Sequence, residues 1–208
     1  MTRRRILRFF LAAGGVVLGT RAASLLWLDR KADRITPGTL PPTPACEDGE
    51  GDPTESVTQG PFFKPSSPDR SVLREAGTVG TPLVIEGRVL SPDCRPISGA
   101  VVDVWNCDGE GVYDNEGFKL RGHQHTGASG AFRVETVKPG SYRDSGILRT
   151  PHVHVRVQAP GTALLSTQLF FPGEPLNARD HLIRESLIMD VRKSGGGGLV
   201  GRFDIVLA

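Results

Sequence analysis

Short runs of β-branched and aromatic residues recur from residue 83 to the end of the chain, and they constrain its fold more than any other feature. Most of these runs alternate apolar and polar residues, which is the period of a half-buried strand. Turn-forming pairs such as Ser98-Gly99 separate them, and no long segment has the period of an amphipathic helix. The pattern therefore predicts an all-β fold, a single β-sandwich domain of short, mainly antiparallel strands. The predicted strands cover residues 83–90, 100–105, 131–137, 152–158, 167–171, 186–191 and 202–207.

Composition supports this fold class and excludes one kind of partner. The 26 glycines and 16 prolines are too many for a helical bundle. Residues 1–34 contain eight basic and two acidic residues, a balance of +6, so the remaining 17 basic and 21 acidic residues carry −4 of the net charge of +2. The positive charge therefore belongs to the leader, and no nucleic acid partner is expected for the folded part.

The first 30 residues have the pattern of an export signal. An arginine-rich start precedes the uncharged stretch 9–20, which is shorter than the roughly 20 residues of a membrane span, so no stable span is expected after processing. Residues 2–8 resemble a twin-arginine signal; an ordinary secretory signal and an uncleaved anchor are the alternatives. We divide the chain into an export signal at 1–30, a Pro/Gly-rich linker and arm at 31–68 and the sandwich at 69–208, and we expect a periplasmic or extracellular protein.

Three cysteines, Cys46, Cys94 and Cys107, follow the leader. In an oxidising compartment we expect two of them to pair. Cys94 lies in a predicted turn and Cys107 follows the next strand, so these two should lie far apart. A disulfide from Cys46 to either of the others is the expectation.

Two histidine pairs are candidate metal ligands. His152 and His154 lie on a predicted strand, where both project from one face, about 7 Å apart along the strand, while the valines between and beyond them enter the core. Two imidazoles in this arrangement can share one metal ion. The second pair, His123 and His125, is predicted to lie in a loop, which orients ligands less well.

The only two tyrosines of the chain accompany the first histidine pair. Tyr113 follows a predicted strand in a Gly-rich loop, and Tyr142 ends a Pro-Gly loop ten residues before His152. Tyrosines in sandwiches commonly pack at corners. Loops near strand ends, however, are where functional groups are displayed.

These residues lie within an ordered series of motifs that resembles the intradiol ring-cleavage dioxygenases, especially the short exported forms and the subunits of protocatechuate 3,4-dioxygenase. The resemblance runs from about Thr58 to Asp180. The matching segments are 58–63 (TQGPFF), 99–105 (GAVVDVW), 111–113 (GVY), 121–130 (RGHQHTGASG), 137–142 (VKPGSY), 149–154 (RTPHVH) and 167–172 (TQLFFP).

The resemblance implies an enzyme, a non-haem Fe(III) dioxygenase that inserts O2 into a catechol-type aromatic diol and gives a cis,cis-muconate-type diacid. The implied iron ligands are Tyr113, Tyr142, His152 and His154, with water or hydroxide in a fifth position. A hard, highly charged ion such as Fe(III) stabilises the phenolate form of tyrosine. The resemblance also implies catalytic roles for Arg149, which would stabilise negative charge on the ring, for Tyr142, which would take up a substrate proton, and for Gln168 beside the ligands.

Departures from the family pattern leave the substrate open. Asn106 stands where His or Gln is common, Gly127 stands where Asp is common, and the loop at 143–148 is short. Catechol, protocatechuate, hydroxyquinol and chlorinated or larger catechols all stay open as substrates. The oligomeric state of the protein also stays open. Two other functions stay open: a non-catalytic transthyretin-like binding module of the same fold, and a copper or zinc site. The histidines available to that site are His123, His125, His152 and His154.

Overall fold

The computed structural model describes Cys46 and residues 51–208. This part of the chain forms eleven strands and two 3-10 helices, Asn177–Arg179 and Glu185–Leu187. The strands are β1 (Pro82–Leu90), β2 (Val101–Trp105), β3 (Arg121–His125), β4 (Ala131–Val137), β5 (Tyr142–Asp144), β6 (Ile147–Arg149), β7 (His152–Gln158), β8 (Leu165–Phe170), β9 (Asp190–Lys193), β10 (Leu199–Arg202) and β11 (Ile205–Val206). The all-β prediction is confirmed. The export signal predicted at 1–30 lies outside the described residues, among which no helix has the length and apolar character to cross a membrane.

Two sheets and a hairpin make up the architecture. Strand β1 pairs antiparallel with β4 on one side and parallel with β10 and β11 on the other, and β9 pairs antiparallel with β10. The second sheet has the order β3-β2-β7-β8, with every pair antiparallel. Strands β5 and β6 form the separate hairpin.

The hydrophobic core is formed by the inward faces of both sheets, because alternate residues of each strand point to the same side. Val153, Val155 and Val157 of β7 are at most 1 % exposed and join Leu83 and Ile85 of β1 in one apolar cluster. Burying side chains of this size stabilises the fold by about 1.5–3 kcal/mol each. Core packing of the valines therefore directs His152 and His154 to the opposite face of β7, as the sequence predicts.

Strand β3 corrects one prediction. The loop predicted for His123 and His125 was wrong, because residues 121–125 pair with β2 along their whole length, with His123 opposite Asp103. This strand lies at the edge of its sheet. An edge strand exposes polar side chains without cost, so it lacks the apolar alternation by which strands are recognised in a sequence.

The C-terminal strands also differ from their prediction. Residues 186–191 begin in the 3-10 helix Glu185–Leu187, and β9 starts only at Asp190. Residues 202–207 are divided between β10 and β11. The division occurs beside Gly87 of β1, where an added Cβ would lie 1.8 Å from the carbonyl oxygen of Phe203. The chain can approach β1 this closely only because that position is glycine.

An arm formed by residues 54–70 crosses the outer face of the second sheet. The Val57 N–H donates to the carbonyl of Ser166 on β8 (2.8 Å), and the Arg70 N–H donates to the carbonyl of His123 on β3 (2.9 Å). Between these points, the Ser67 hydroxyl donates to the Asp103 carboxylate on β2 (2.9 Å). The arm therefore covers the face of the sheet that carries His152 and His154.

A disulfide joins Cys46 to Cys94 in the turn after β1, with the two Cα atoms 5.5 Å apart. The prediction that Cys46 forms the bridge is confirmed, and its partner is Cys94. Cys107 is a free, buried thiol.

Candidate active site

Four buried side chains from three parts of the chain meet on the outer face of β7. Tyr113 comes from the loop after β2, Tyr142 begins β5, and His152 and His154 lie on β7. The tyrosines are 8 % and 6 % exposed and the histidines 0 %. The structure thus brings together the four residues that the sequence motifs single out.

The potential donor atoms point toward one another. The Tyr142 hydroxyl lies 3.1 Å from Nε2 of His152, and Nε2 of His152 lies 3.2 Å from Nε2 of His154. The ring centroids of Tyr113 and Tyr142 are 5.1 Å apart, with the ring planes nearly perpendicular. Three donor atoms therefore converge within hydrogen-bonding distance, with the fourth ring alongside.

Backbone contacts fix which nitrogen of His152 faces the cluster. Its Nδ1–H donates to the carbonyl of Thr150 at 2.7 Å. Because a neutral imidazole carries one proton, Nε2 is left with a free lone pair. A metal-ligating histidine is commonly held in this way by a hydrogen bond from its other ring nitrogen.

Two polar atoms of the cluster are buried without a partner. The Tyr113 hydroxyl and Nδ1 of His154 form no hydrogen bond within the part of the chain described. An unsatisfied buried polar group costs about 1–3 kcal/mol, so such groups call for an explanation. A cation bound among the four side chains would satisfy the Tyr113 oxygen.

Burial controls the charge of the cluster. Desolvation raises the pKa of Tyr142 to about 12 and raises the pKa of Tyr113 well above its usual value. Desolvation also lowers the pKa of His152 to about 4 and lowers the pKa of His154 well below its usual value. The imidazoles are therefore neutral and able to bind a metal at neutral pH, whereas the phenols need a strongly charged cation to ionise. The donor set fits Fe(III).

Aromatic rings and one glycine hold the ligands in place. The Trp105 ring stacks on His154 with the ring planes 2° apart and the centroids 4.9 Å apart. Gly60 of the arm also lies against His154, since an added Cβ would be 3.2 Å from its Cε1. Phe62 stacks on Tyr113 at 4.2 Å. The arm thus forms part of the wall of the site.

A buried ion pair lies next to the cluster. Nε of Arg149 donates to the Asp180 carboxylate at 2.8 Å, and its Nη2 donates to Oε1 of Gln168 at 2.7 Å. Nε2 of Gln168 in turn donates to the carbonyl of Thr58 in the arm at 2.8 Å. Arg149 is also paired with Tyr142 across the β5–β6 hairpin. These contacts hold the guanidinium beside Tyr142.

Asp180 is a member of the site that the sequence did not assign. Burial favours its neutral form, but hydrogen bonds from Arg149 and from the N–H groups of Leu182 and Thr150 outweigh it and lower its pKa. Nothing in the local sequence marks Asp180, since its partner Arg149 is 31 residues away. The only signal is that the matching motifs end there.

Two of the three departures from the family pattern take part in defined local structure, whereas an added Cβ at Gly127 would contact nothing within 4 Å. The Asn106 amide donates to the carbonyls of Cys107 and Val137 and accepts from the Thr136 hydroxyl, so Asn106 ties the end of β2 to β4. The loop predicted at 143–148 was wrong: residues 143–144 end β5, residues 147–148 begin β6, and only Ser145 and Gly146 form the turn between them. Ser145 and Gly146 both have positive φ (49° and 87°), as two-residue hairpin turns require.

The structure does not bring the two histidine pairs together. His123 and His125 lie on β3, and β2 separates that strand from His152 and His154 on β7. On β3 the two histidines instead form a cluster with Asp69. A single copper or zinc site built from the four histidines is therefore not formed.

Comparison with known proteins agrees with the geometry. The family model described as Dioxygenase matches residues 58–208. Hydroxyquinol 1,2-dioxygenase of Nocardioides simplex is 30 % identical over 195 residues, which cover 77 % of this chain and 67 % of that protein. Catechol 1,2-dioxygenase 1 of Acinetobacter lwoffii is 34 % identical over 143 residues, covering 58 % and 46 %. The chain therefore spans about half to two thirds of the length of these relatives.

Among solved structures, the dioxygenase domain of a dioxygenase carbohydrate-binding protein fusion from Streptomyces sp. SirexAA-E is 48 % identical. It superposes with a TM-score of 0.70, covering 75 % of this chain and 98 % of that one. The residues matched by the family model, 58–208, include the two tyrosines, the two histidines and the Arg149–Asp180 pair. On this sequence and structural similarity, the chain belongs to the intradiol ring-cleavage dioxygenase family.

Proposed function

We propose that the protein is a non-haem Fe(III) dioxygenase that cleaves a catechol-type diol between its two hydroxyls and gives a cis,cis-muconate-type diacid. The observation that carries this proposal is the buried cluster of two phenols and two imidazoles, in which the Tyr113 hydroxyl has no hydrogen-bond partner. The names of the relatives, hydroxyquinol and catechol 1,2-dioxygenases, support the same reaction class.

Tyr113, Tyr142, His152 and His154 would hold the iron. Ferric iron bound there supplies the Lewis acidity that ionises the phenols and the catechol and makes the catechol ring reactive toward O2. The presence of all four donors argues against a non-catalytic binding module, for which a buried, partnerless tyrosine hydroxyl would only be destabilising.

Tyr142 is suited to accept a substrate proton. Burial raises its pKa to about 12, so its phenolate is a strong base in this environment. Its hydroxyl points into the cluster, 3.1 Å from Nε2 of His152. A catechol hydroxyl that enters the cluster can therefore transfer its proton to the Tyr142 oxygen.

Arg149 is suited to stabilise negative charge on the substrate ring. Its Nε and Nη2 are committed to Asp180 and Gln168, whereas Nη1 forms no hydrogen bond among the described residues. The buried guanidinium keeps its orientation before the substrate arrives, so no reorganisation is needed when charge develops. Gln168 and Asp180 act as positioning residues.

The test of the proposed function is oxygen uptake with product identification on a panel of catechols, including hydroxyquinol, protocatechuate and chlorocatechols. We expect one O2 consumed per diol without added reductant, and a colourless muconate-type diacid. A yellow semialdehyde, the product of cleavage outside the two hydroxyls, would overturn the proposal. The member of the panel with the highest kcat/KM identifies the substrate class.

We also propose that the protein is exported. The arginine-rich start of the chain supports this location, and the Cys46–Cys94 disulfide is typical of an oxidising compartment. Cell fractionation tests it: replacing Arg3 and Arg4 with lysine should retain the protein in the cytoplasm if the twin-arginine route is used. Unchanged export would leave the ordinary secretory signal as the route.

A further inference from the structure

A second group of metal-ligating side chains lies where the arm meets the edge strand. Asp69, His123 and His125 each offer one ligand atom, and these atoms all lie within 4.8 Å of one another. Two residues apart on β3, the histidines project from the same face. Asp69 belongs to the arm, and its backbone forms a bridge with that of His123. We refer to these three residues as the arm cluster.

The arm cluster is distinct from the proposed iron site. His123 lies opposite Asp103 on β2, and Asp103 lies opposite Arg156 on β7, two residues beyond His154. Two strand spacings, about 10 Å, therefore separate β3 from β7. Trp105 on the intervening strand β2 stacks on His154, and the ligand atoms grouped with His123 include none from the proposed iron site.

Ser67 and Asp103 orient one ligand of the arm cluster. The Ser67 hydroxyl donates to the Asp103 carboxylate at 2.9 Å and lies 3.1 Å from Nδ1 of His123. Since the single hydroxyl proton goes to Asp103, the Ser67 oxygen accepts the Nδ1–H of His123. Nε2 of His123 is then the nitrogen with a free lone pair. This carboxylate–hydroxyl–imidazole chain is the kind of support that fixes a metal-binding histidine.

We propose that Asp69, His123 and His125 bind a divalent transition-metal ion of the Zn²⁺ type and thereby clamp the arm to β3. Two imidazoles and a carboxylate suit Zn²⁺, whereas Ca²⁺ and Mg²⁺ prefer oxygen ligands and Fe(III) favours phenolates. Ligand atoms around tetrahedral zinc are about 3.4 Å apart. Asp69 and His125 are exposed, so rotation of their side chains closes the present separation while His123 stays in place, and water fills the fourth position.

Zinc titration of the purified, iron-containing protein tests this proposal. Calorimetry and elemental analysis after dialysis should show one zinc ion per chain, with a dissociation constant in the micromolar range or below. The visible absorbance should remain unchanged, because zinc that displaced iron would bleach it. Zinc at roughly 100 times its dissociation constant should raise the unfolding midpoint by about 5–10 °C, since the ion binds only the folded arm.

Matched variants assign the ion to its ligands. His125→Ala and Asp69→Asn remove exposed ligands and should abolish both the stoichiometric zinc and the rise in the midpoint. His181→Ala removes the one histidine outside both clusters and should change neither. The proposal is overturned if wild-type protein binds no zinc at these concentrations, or if His125→Ala binds as much zinc as wild type. Both readouts are independent of catechol cleavage, so they stand apart from the proposed enzymatic function.

Discussion

Arg149 and Asp180 form an ion pair with 2.8 Å between Nε and the carboxylate, and their side chains are only 2 % and 0 % exposed. Asp180 also accepts the N–H groups of Thr150 and Leu182. It therefore ties the end of β6 and the residue that follows it to the segment after β8. The pair links the stability of the domain to the position of the guanidinium.

Replacing Asp180 with asparagine should destabilise the protein by about 3–5 kcal/mol, because it leaves Arg149 buried without its counter-charge. The free energy of unfolding in denaturant measures this effect. The control is Asp190→Asn, which breaks the exposed pair with Arg192 and should cost less than about 1 kcal/mol. An equal loss of unfolding free energy in the two variants would show that the buried Arg149–Asp180 pair contributes no more to stability than the exposed pair.

Replacing Arg149 with alanine should lower kcat by roughly 10²- to 10³-fold, which is the effect of removing one preoriented hydrogen-bond donor that stabilises charge in the transition state. Iron content should stay at the wild-type value, because Arg149 is not among the proposed ligands. Assays are made below the unfolding temperature of each variant, and Arg149→Lys, which keeps the charge but cannot contact Asp180 and Gln168 together, should have an intermediate kcat. An unchanged kcat in Arg149→Ala, or loss of iron, would contradict the assignment.

The two tyrosines should respond differently to replacement by phenylalanine. Tyr113→Phe would remove a phenolate that is proposed to stay on the iron throughout, so it should weaken iron binding and shift the visible band both with and without substrate. Tyr142→Phe should shift the band of the free protein only, because bound catecholate would supply the oxygen ligand that the variant lacks. Turnover should fall with the loss of the proposed proton acceptor. Visible spectra under nitrogen, with and without catechol, measure both effects. A wild-type spectrum in either substrate-free variant would exclude that tyrosine as a ligand.

The iron-free protein should lose stability as the pH falls from about 6.5 to about 4. The folded pKa of His152 is lowered to about 4 from 6.5, so the unfolded chain takes up a proton in this range while the folded protein does not. The stability that the folded protein gains from keeping His152 neutral is fully present above pH 6.5 and amounts to about 3 kcal/mol. His152→Asn, whose amide can replace the hydrogen bond to Thr150, should show a smaller loss. The free energy of unfolding is measured for both proteins as a function of pH. If it falls by the same amount in both across this range, the prediction is contradicted.

The sequence predicted the parts of the site that follow a local pattern. The alternation of valine with His152 and His154 indicated both the strand and the face on which the imidazoles lie, because core burial leaves a strand one choice of face. The motifs around Tyr113 and Tyr142 indicated ligands, and the structure places these residues beside the histidines.

What the sequence could not predict depends on partners far away in the chain. Strand β3 forms because its backbone pairs with the edge of β2. Its own residues, which include His123 and His125, do not alternate between apolar and polar as strand residues commonly do. Asp180 belongs to the site through Arg149, 31 residues earlier. The split between β10 and β11 depends on Gly87 in β1.

The path of the arm has a consequence for folding kinetics. Gln168 bonds to the carbonyl of Thr58 across 110 residues of chain, and Val206 bonds to Thr54 across 152 residues. Contacts of such sequence separation carry a large loop-closure entropy and form late. During synthesis, the arm that places Gly60 beside His154 gains its bond to Val206 only after β11 has left the ribosome. A nascent or truncated chain that lacks β11 should therefore leave this wall of the proposed metal site without one of its anchors.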